Sequence, residues 1–378
     1  MDDGNEPWDD FDERPLRAIG LMSGTSLDGI DAALLTSDGE RIESFGPVLT
    51  TPYPEAFRGR LRALLGREPT DSVDDQAVIR ELTDRHVEAV QQLLAAAELA
   101  ASDVDLVGFH GQTVLHRPER RRTVQIGRGQ LLADAVGIPV ICDFRTADVA
   151  AGGQGAPLAP LYHAALARDQ PRPLAVLNVG GVANVTWIGE DDATPLLAFD
   201  TGPGNALLDD FVLARTGQPF DEGGTLAATG RIDGARVMGW LRHPWFRRPL
   251  PKSLDRDDFR FVLDAVAGLA PADGAAMLTA FTARAVAFAL PLLPAAPRRW
   301  LVCGGGRHNR TLMRMLTDGL GAPVEPVEAA GWRGDFIEAE AFAFLAVRAA
   351  RRLPLSLPTT TGVPQPLTGG TLHRPTVT

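Results

Sequence analysis

Two segments of the chain share one local pattern: an apolar run, a turn of small residues, and a second apolar run. The first occupies residues 16–35 around the turn SGTSLDG, and the second occupies residues 174–188 around Gly180 and Gly181. Apolar runs bounded by turn residues predict β-strands, and the repeated strand-turn-strand unit predicts two similar α/β halves. A chain of 378 residues is long enough for two domains of about 150 residues each.

The patterns along the chain predict four segments. Helical periodicity is clearest at Ala77–Leu99, Ala275–Leu290 and Phe336–Arg352, and the proline-rich stretch QPRPL marks a junction near residue 170. Both ends show little periodicity, so we expect them to be loose. The predicted segments are an acidic N-terminal extension at 1–15, an N-terminal lobe at 16–150, a C-terminal lobe at 151–353 and a Pro- and Thr-rich tail at 354–378.

The charge balance argues against several classes of partner. Thirty-seven Lys and Arg residues against 48 Asp and Glu residues give a net charge of -11, which disfavours nucleic acid and anionic membrane surfaces. The N-terminus is acidic where a signal peptide would be basic, so we expect a cytoplasmic protein. Cys142 and Cys303 form no CxxC pair, and His110 and His116 lack zinc-ligand spacing, so no zinc site is expected.

The two glycine turns are candidate anion-binding sites. Neither matches GxxxxGK[ST] or GxGxxG, which lead from a strand into a helix, because these turns join two strands. Backbone N–H groups in a turn of small residues can still converge on a phosphate, although either turn alone could be a plain hairpin. Two such turns fit a nucleoside triphosphate. The predicted nucleotide contacts here are Gly24, Thr25, Ser26, Leu27, Asp28, Gly29, Ile30 and Asp31 in the first turn, and Asn178, Gly180, Gly181 and Asn184 around the second.

Two further features fit a bound nucleotide and its metal ion. Asp28 and Asp31 accompany the first turn, and Asp28 is the predicted magnesium ligand, directly or through water. A later apolar strand ends in the triple glycine Gly304, Gly305 and Gly306. This motif is either a tight strand-to-helix turn or a contact for the adenosine side of the nucleotide, because glycine lets a flat ring lie against the backbone.

Candidate catalytic and substrate residues follow other apolar segments. Asp200 in FDTGPGN is either a turn residue or a general base at the carboxyl end of a strand. Gln112 and Arg145 either bind the substrate or serve domain packing, and the arginine fork matches two oxygens. Glu338 has the spacing of a helix capping box but could equally bind sugar hydroxyls. The segment PKSLDR at 251–256 is either a surface loop or a substrate contact.

Taken together, these motifs resemble those of the anhydro-N-acetylmuramic acid kinases. The resemblance extends from Gly20 to Ala346, and it departs from the family in the extension before Arg17, in the tail after Leu353 and at Leu27, where methionine is common. The matching motifs are GLMSGTSLDGIDAAL, FHGQTVLH, QIG, DFRTADVAAGGQGAPL, NVGGVANVT, FDTGPGN, PKS, CGGG and DFIEAEAFAFLA.

The resemblance implies a fold, a reaction and a set of ligands. The fold is the two-lobed α/β fold of the sugar kinase, Hsp70 and actin superfamily, with an ATP cleft between the lobes. The enzyme would use ATP and magnesium to open the 1,6-anhydro bond of its sugar and phosphorylate O6, giving N-acetylmuramic acid 6-phosphate during cell-wall recycling. Residues 24–31 match the ATP loop, and Asp200 matches the catalytic base. The alternatives are a kinase for another sugar and a non-catalytic ATP-binding module like Hsp70, and a homodimer is left open.

Overall fold

The computed structural model describes residues 11, 13–24 and 26–376, which form two compact units. Unit 1 holds the described residues up to Leu166 and those from Phe336 onward, and unit 2 is Ala167–Asp335. The strands are β1 (Leu16–Ser23), β2 (Gly29–Ser37), β3 (Ile42–Pro52), β4 (Leu106–Arg117), β5 (Arg122–Ile126), β6 (Val140–Cys142), β7 (Leu174–Val179), β8 (Val182–Ile188), β9 (Leu197–Pro203), β10 (Arg299–Cys303), β11 (Val324–Pro326) and β12 (Thr371–His373). The helices are α1 (Glu55–Arg62), α2 (Val73–Ala96), α3 (Gly129–Val136), α4 (Thr146–Ala150), α5 (Pro160–Leu166), α6 (Ala206–Thr216), α7 (Thr225–Ala228), α8 (Gly234–Trp240), α9 (Phe261–Val266), α10 (Pro271–Phe288), α11 (Arg310–Leu320) and α12 (Ile337–Ala350).

The sheet of unit 1 has the strand order β3-β2-β1-β4-β6-β12. Strands β1, β2 and β3 form an antiparallel meander, whereas β4 lies parallel to β1 and β6 lies parallel to β4. Strand β5 returns along β4 as a hairpin, and β12 adds an antiparallel strand at the edge. The meander therefore places the first glycine turn at the end of the central strand β1.

The sheet of unit 2 repeats this arrangement. Its order is β9-β8-β7-β10-β11, with β7, β8 and β9 antiparallel, β10 parallel to β7 and β11 parallel to β10. Without the β5 hairpin and the edge strand β12, both units follow the order third, second, first, fourth and fifth strand. The duplication predicted from the two turns is confirmed, and with it the prediction of an α/β fold with two similar halves.

The three helices with the clearest periodicity are all present, as α2, α10 and α12. Helix α2 begins at Ser72, whose hydroxyl accepts the N–H of Asp75. The segment Pro271–Leu292, which contains α10, has the length and hydropathy of a membrane span, but most of it is buried. Its buried Phe281 packs among the aromatic side chains of unit 2. Burial in this core explains why the helix is apolar.

The predicted boundary of the C-terminal lobe at residue 353 is wrong, because α12 belongs to unit 1. The helix covers one face of that sheet and is almost wholly buried. Gly20 of β1 and Gly108 of β4 make this close packing possible, since a Cβ on either would collide with the helix backbone at Ala339 or Phe342. The chain therefore returns to its first sheet after completing unit 2.

The tail predicted to be loose is ordered in its described part, residues 354–376. Strand β12 pairs Thr371 with Cys142 of β6, and the Thr361 hydroxyl donates to Asp148 Oδ2 at 2.6 Å. These contacts attach the tail to unit 1, which corrects the prediction. Most of the extension at 1–15 lies outside the described residues, although Arg14 forms a salt bridge with Asp105 at 2.6 Å.

Candidate active site

In unit 1, the turn between β1 and β2 is anchored by its own side chains. Leu27 has a left-handed backbone conformation (φ 57°), its N–H donates to the Gly24 carbonyl at 3.2 Å, and its side chain is buried in the core. The Ser26 hydroxyl donates to Asp28 Oδ1 at 2.9 Å, and both residues are exposed. Thr25 lies outside the described residues. The buried leucine thus fixes the turn while its polar residues stay in solvent.

A buried chain of hydroxyl and amide groups supports this turn from behind. The Tyr53 hydroxyl donates to Ser23 Oγ at 2.9 Å, and the Ser23 hydroxyl donates to Gln112 Oε1 at 2.7 Å. Burial raises the pKa of Tyr53, so its hydroxyl stays protonated as a donor. Gln112 is fully buried and also donates to the Thr113 carbonyl at 3.2 Å. Gln112 therefore supports the turn from behind, which favours the packing alternative, and its role as a substrate contact stays a prediction.

Four of the predicted glycine contacts have open space where a side chain would stand. A Cβ on any of them would meet no atom closer than 3.5 Å, apart from its own chain neighbours. Open space over a glycine backbone lets a phosphate or a ring approach closely. These glycines therefore fit the predicted nucleotide contacts. They are Gly24 in unit 1 and Gly180, Gly181 and Gly305 in unit 2.

The remaining predicted positions near the turns have packing reasons of their own. A Cβ on Gly29 would lie 2.5 Å from the Thr51 carbonyl oxygen, and one on Gly306 would lie 2.5 Å from Val179. Gly304 has a φ of +73°, which favours glycine whatever else is near. Ile30 is buried in the core. The tight-turn alternative therefore accounts for Gly304 and Gly306, and Gly305 alone in that motif has open space over its backbone.

In unit 2, three predicted polar residues form one row across the sheet. Asn178 of β7 pairs with Asn184 of β8, and Asn184 pairs with Asp200 of β9. Directly paired residues carry their side chains on the same face. Each of the three is partly exposed, whereas its neighbours along the strand are buried. The strand register thus brings together residues that are far apart in the sequence.

The glycine turn of unit 2 is anchored by backbone hydrogen bonds. The Gly180 carbonyl accepts the N–H of Asn205 at 2.8 Å, and the Gly181 carbonyl accepts the N–H of Gly204 at 3.0 Å. The side-chain amide of Asn205 donates to the Val179 carbonyl at 3.1 Å. The FDTGPGN segment therefore holds the turn and carries Asp200 at the same time.

Asp200 is held by the segment 251–256. Its N–H donates to the Lys252 carbonyl at 3.0 Å, and its Oδ2 accepts the N–H of Leu254 at 2.7 Å. Burial raises the pKa of Asp200 to about 7, although the Leu254 N–H and the positive charge of Lys252 both lower it. A carboxylate of this basicity can remove a proton from water near neutral pH, which is what a general base requires.

Lys252 is the functional candidate that the sequence left unresolved between a surface loop and a substrate contact. Its side chain is 6% exposed, its Nζ donates to the Phe246 carbonyl at 3.0 Å, and the ammonium lies 4.4 Å from the centre of the Trp245 ring. Burial lowers the pKa of Lys252 to about 8, and the Asp200 carboxylate opposes that effect. The structure therefore places a buried cation near the candidate base.

In unit 1, Arg145 is positioned by His110. The guanidinium Nε donates to His110 Nε2 at 3.1 Å, and His110 Nδ1 faces the Gly111 carbonyl at 2.8 Å. These partners assign the proton to Nδ1, and burial together with Arg145 holds the pKa of His110 well below its usual range. Arg145 Nη1 also donates to the Gly155 carbonyl at 2.6 Å. The neutral histidine thus orients an arginine, and both of its ring nitrogens have partners.

Glu338 lies at the start of α12 and acts electrostatically on Arg145. Glu338 is exposed at the surface. Its pKa is nevertheless raised, mainly because the surrounding protein removes water from the carboxylate. The positive charge of Arg145 lowers this pKa, and the negative charge of Asp31 raises it. The N-cap residue of α12 is Phe336, with no side-chain capping bond, so the capping interpretation of Glu338 is wrong. Glu338 is thus free of a capping role and able to bind a ligand.

The donor set near the first turn fits magnesium. Asp28 is exposed, and Asp31 accepts a hydrogen bond from the Thr50 hydroxyl at 2.6 Å. Mg²⁺ keeps several waters and needs only one or two carboxylates beside substrate phosphates. Within the described part of the chain, no group of three or more His, Cys, Asp or Glu residues forms a metal cage.

Comparison with known proteins identifies relatives over nearly the whole chain. A family model described as anhydro-N-acetylmuramic acid kinase matches residues 16–375. The anhydro-N-acetylmuramic acid kinase of Rhodospirillum rubrum is 60% identical over 355 residues, which cover 94% of this chain and 93% of the relative. That of Acidiphilium cryptum is 57% identical over 364 residues, which cover 95% and 99%.

Solved structures give weaker matches. The activator of the 2-hydroxyisocaproyl-CoA dehydratase from Clostridium difficile with bound ADPNP is 13% identical, with a TM-score of 0.44 over 89% of this chain and 96% of that one. The extensive match to the family model and the high identity to two kinases show that this chain belongs to the anhydro-N-acetylmuramic acid kinase family.

Proposed function

We propose that this protein is an ATP-dependent kinase that opens the 1,6-anhydro ring of 1,6-anhydro-N-acetylmuramic acid with water and phosphorylates O6. The products are N-acetylmuramic acid 6-phosphate and ADP, and the reaction serves peptidoglycan recycling. Membership of the family supports the substrate and the reaction. The observation that carries the mechanism is Asp200, a partly exposed carboxylate with a pKa of about 7 in the polar row beside the turn of unit 2.

Asp200 acts as the general base in this mechanism. It takes a proton from a water molecule, whose oxygen forms a bond to C1 of the sugar while the bond from C1 to O6 breaks. The departing O6 forms a bond to the γ-phosphorus of ATP, and the bond from that phosphorus to the ADP oxygen breaks. An ordinary glycosidase protonates the departing oxygen with a second carboxylic acid. Here the phosphoryl group takes the place of that proton, so one carboxylate is enough.

The glycine turns bind the ATP phosphates through their backbone N–H groups. Gly24, Gly180 and Gly181 have the open space that such an approach needs, and Gly305 offers the same space for the adenosine side. Asp28, which is exposed, is the proposed magnesium ligand, directly or through water. When bound, magnesium stabilises negative charge on the phosphates.

Arg145 and Glu338 are the proposed sugar contacts. Arg145 is fixed by His110 and Gly155, and an arginine fork matches a carboxylate such as that of the lactyl group of the sugar. Glu338 is exposed and can accept hydrogen bonds from sugar hydroxyls. A cytoplasmic location, the absence of nucleic-acid and membrane partners, and a homodimer all stay predictions.

A product assay separates this function from its alternatives. The protein is incubated with magnesium and ATP, with and without the anhydro sugar, and the products are followed by phosphorus NMR. We expect ADP and the 6-phosphate in equal amounts, and only with the anhydro sugar present. ADP without the sugar would indicate an ATPase module, and phosphorylation of a different sugar in preference would indicate another sugar kinase.

A further inference from the structure

Lys252 is the only lysine in the chain. All the remaining residues among the 37 Lys and Arg are arginine. An ammonium is a compact charge on a flexible stem, whereas a guanidinium is a broad planar fork, so the two are not interchangeable in a buried position. Because all the remaining Lys and Arg positions of the sequence hold arginine, the lysine at 252 indicates a position that needs an ammonium.

The surroundings of Lys252 show why a compact cation fits there. The Nζ is fixed by the Phe246 carbonyl at 3.0 Å and the face of Trp245 at 4.4 Å. The Trp245 indole N–H in turn donates to the Ser253 carbonyl at 2.9 Å, which ties the ring to the residue after Lys252. The ammonium and the indole thus attach Lys252 and Ser253 to Trp245 and Phe246.

The segment 251–256 is the one that binds Asp200. The Lys252 carbonyl accepts the Asp200 N–H, and the Leu254 N–H donates to the Asp200 carboxylate. We propose that Lys252 is a positioning residue for Asp200: its ammonium fixes the segment that orients the carboxylate and supplies the positive charge that keeps this carboxylate ionised. The inference rests on the proposed function of Asp200 as the base.

The charges around the pair are few. Among the described residues, the side-chain charge that acts on Asp200 is Lys252, and the charges that act on Lys252 are Asp200 and Arg248. Across the sheet, Asp200 pairs with Asn184, which is neutral. Burial raises the pKa of Asp200 and Lys252 lowers it, so removal of the ammonium should raise that pKa further. A base with a higher pKa is protonated, and inactive, up to a higher pH.

The single lysine makes a direct test possible. Protein made with lysine labelled with carbon-13 at Cε, and with a lysine-free purification tag, contains one labelled carbon, and its chemical shift against pH gives the pKa of Lys252. We expect a midpoint near 8 in the natural sequence, moved down by about one unit in Asp200→Asn. Asp209→Asn is the control, because Asp209 also has a pKa raised to about 7 by burial but does not act on Lys252. An unchanged midpoint in Asp200→Asn would overturn the proposal.

Activity against pH gives the second test. In Lys252→Met, we expect the acid limb of kcat/KM to move up by about one pH unit, with most of the loss regained at higher pH. Lys252→Arg keeps the positive charge, so the acid limb of its kcat/KM profile should stay in place. Its kcat should fall at every pH, because the broader guanidinium does not fit in place of the buried ammonium. Arg260→Met, which removes an exposed partner of Asp257 outside the segment 251–256, should leave the acid limb where it is. An equal loss at every pH in Lys252→Met would mean a merely structural role and overturn the proposal.

The two tests fail in distinguishable ways. If the natural protein did not phosphorylate the anhydro sugar, the proposed function would be wrong, and the NMR midpoints would still decide whether Lys252 and Asp200 act on each other. If Lys252→Met did not fold, the comparison of the natural protein with Asp200→Asn would decide the same question.

Discussion

The two glycine turns occupy equivalent places in equivalent sheets, yet they are held in different ways. The turn of unit 1 depends on side chains, since buried Leu27 anchors it and Tyr53, Ser23 and Gln112 support it from behind. The turn of unit 2 depends on the main chain, because the Gly180 and Gly181 carbonyls accept backbone N–H groups of the segment that follows Asp200.

This difference shows that two units with the same strand order can hold equivalent turns with different kinds of contact. The strand order is the same in both units, but only in unit 2 is the turn tied to the segment that carries the candidate base. In unit 1 the equivalent support is a buried polar chain, and the carboxylates nearby in the sequence are Asp28 and Asp31. In the proposed function, the base lies in unit 2, and the magnesium ligand and the sugar contacts lie in unit 1.

The largest expected effect tests that division at Asp200. Asp200→Asn keeps the shape but removes the base, so kcat should fall by about two to four orders of magnitude while ATP and sugar still bind. Steady-state kinetics and calorimetric titration measure the two properties separately. Asp209→Asn is the matched control, since its carboxyl has a similarly raised pKa but no place in the polar row, and its kcat should change little. A nearly normal rate in Asp200→Asn would contradict the proposal that Asp200 is the general base.

A smaller effect is expected from filling the open space at either turn. Gly24→Val and Gly181→Val should each weaken ATP binding by about tenfold or more, or ~1.4 kcal/mol, because the new side chain stands where a phosphate approaches. Binding of the sugar should change much less. Gly59→Val is the control, because a Cβ on Gly59 meets nothing within 4 Å. Gly59 also lies far from either turn in the sequence. Loss of both ligands alike, in a folded protein, would contradict the assignment of the turn.

The smallest effect separates the two kinds of anchor. Ser23→Ala removes the hydroxyl between Tyr53 and Gln112 and leaves buried polar groups without that partner, which should lower the free energy of unfolding by about 1–3 kcal/mol. Affinity for ATP should fall with it, because the turn loses its support. Urea unfolding and ATP titration measure both. Exposed Ser44→Ala should change stability by less than about 0.5 kcal/mol. Full stability in Ser23→Ala would show that the polar chain does not support the turn.

Much of the fold could be predicted from the sequence because each glycine turn marks a strand end within a few residues. The path of α12 could not, since the pattern of a helix does not say which sheet it covers. The structural reason is a close approach at Gly20 of β1 and Gly108 of β4, which pair with each other in the sheet but lie far apart in the sequence. The ordered tail was missed for a similar reason, because its pairing partner in β6 is more than two hundred residues away.

The candidate site likewise has features that local sequence patterns predict and features that depend on distant contacts. Asp200 and the open glycines follow local turn patterns, so they could be singled out from the sequence. The row from Asn178 to Asp200 depends on strand register, and the burial of Gln112 depends on contacts with Ser23 that no local pattern shows. Lys252 did carry a signal, since it is the only lysine in the chain, but its role needed the structure to place it near Asp200.

Oxygen labelling tests the central claim most directly, that water attacks C1 and that O6 is the oxygen phosphorylated. The reaction is run in water labelled with oxygen-18, and the product is analysed by mass spectrometry after a short incubation, with unlabelled product in the same water as the control for exchange at C1. We expect label on the C1 oxygen beyond that exchange, and none on O6 or in the transferred phosphate. Label at O6 or in that phosphate would contradict the mechanism.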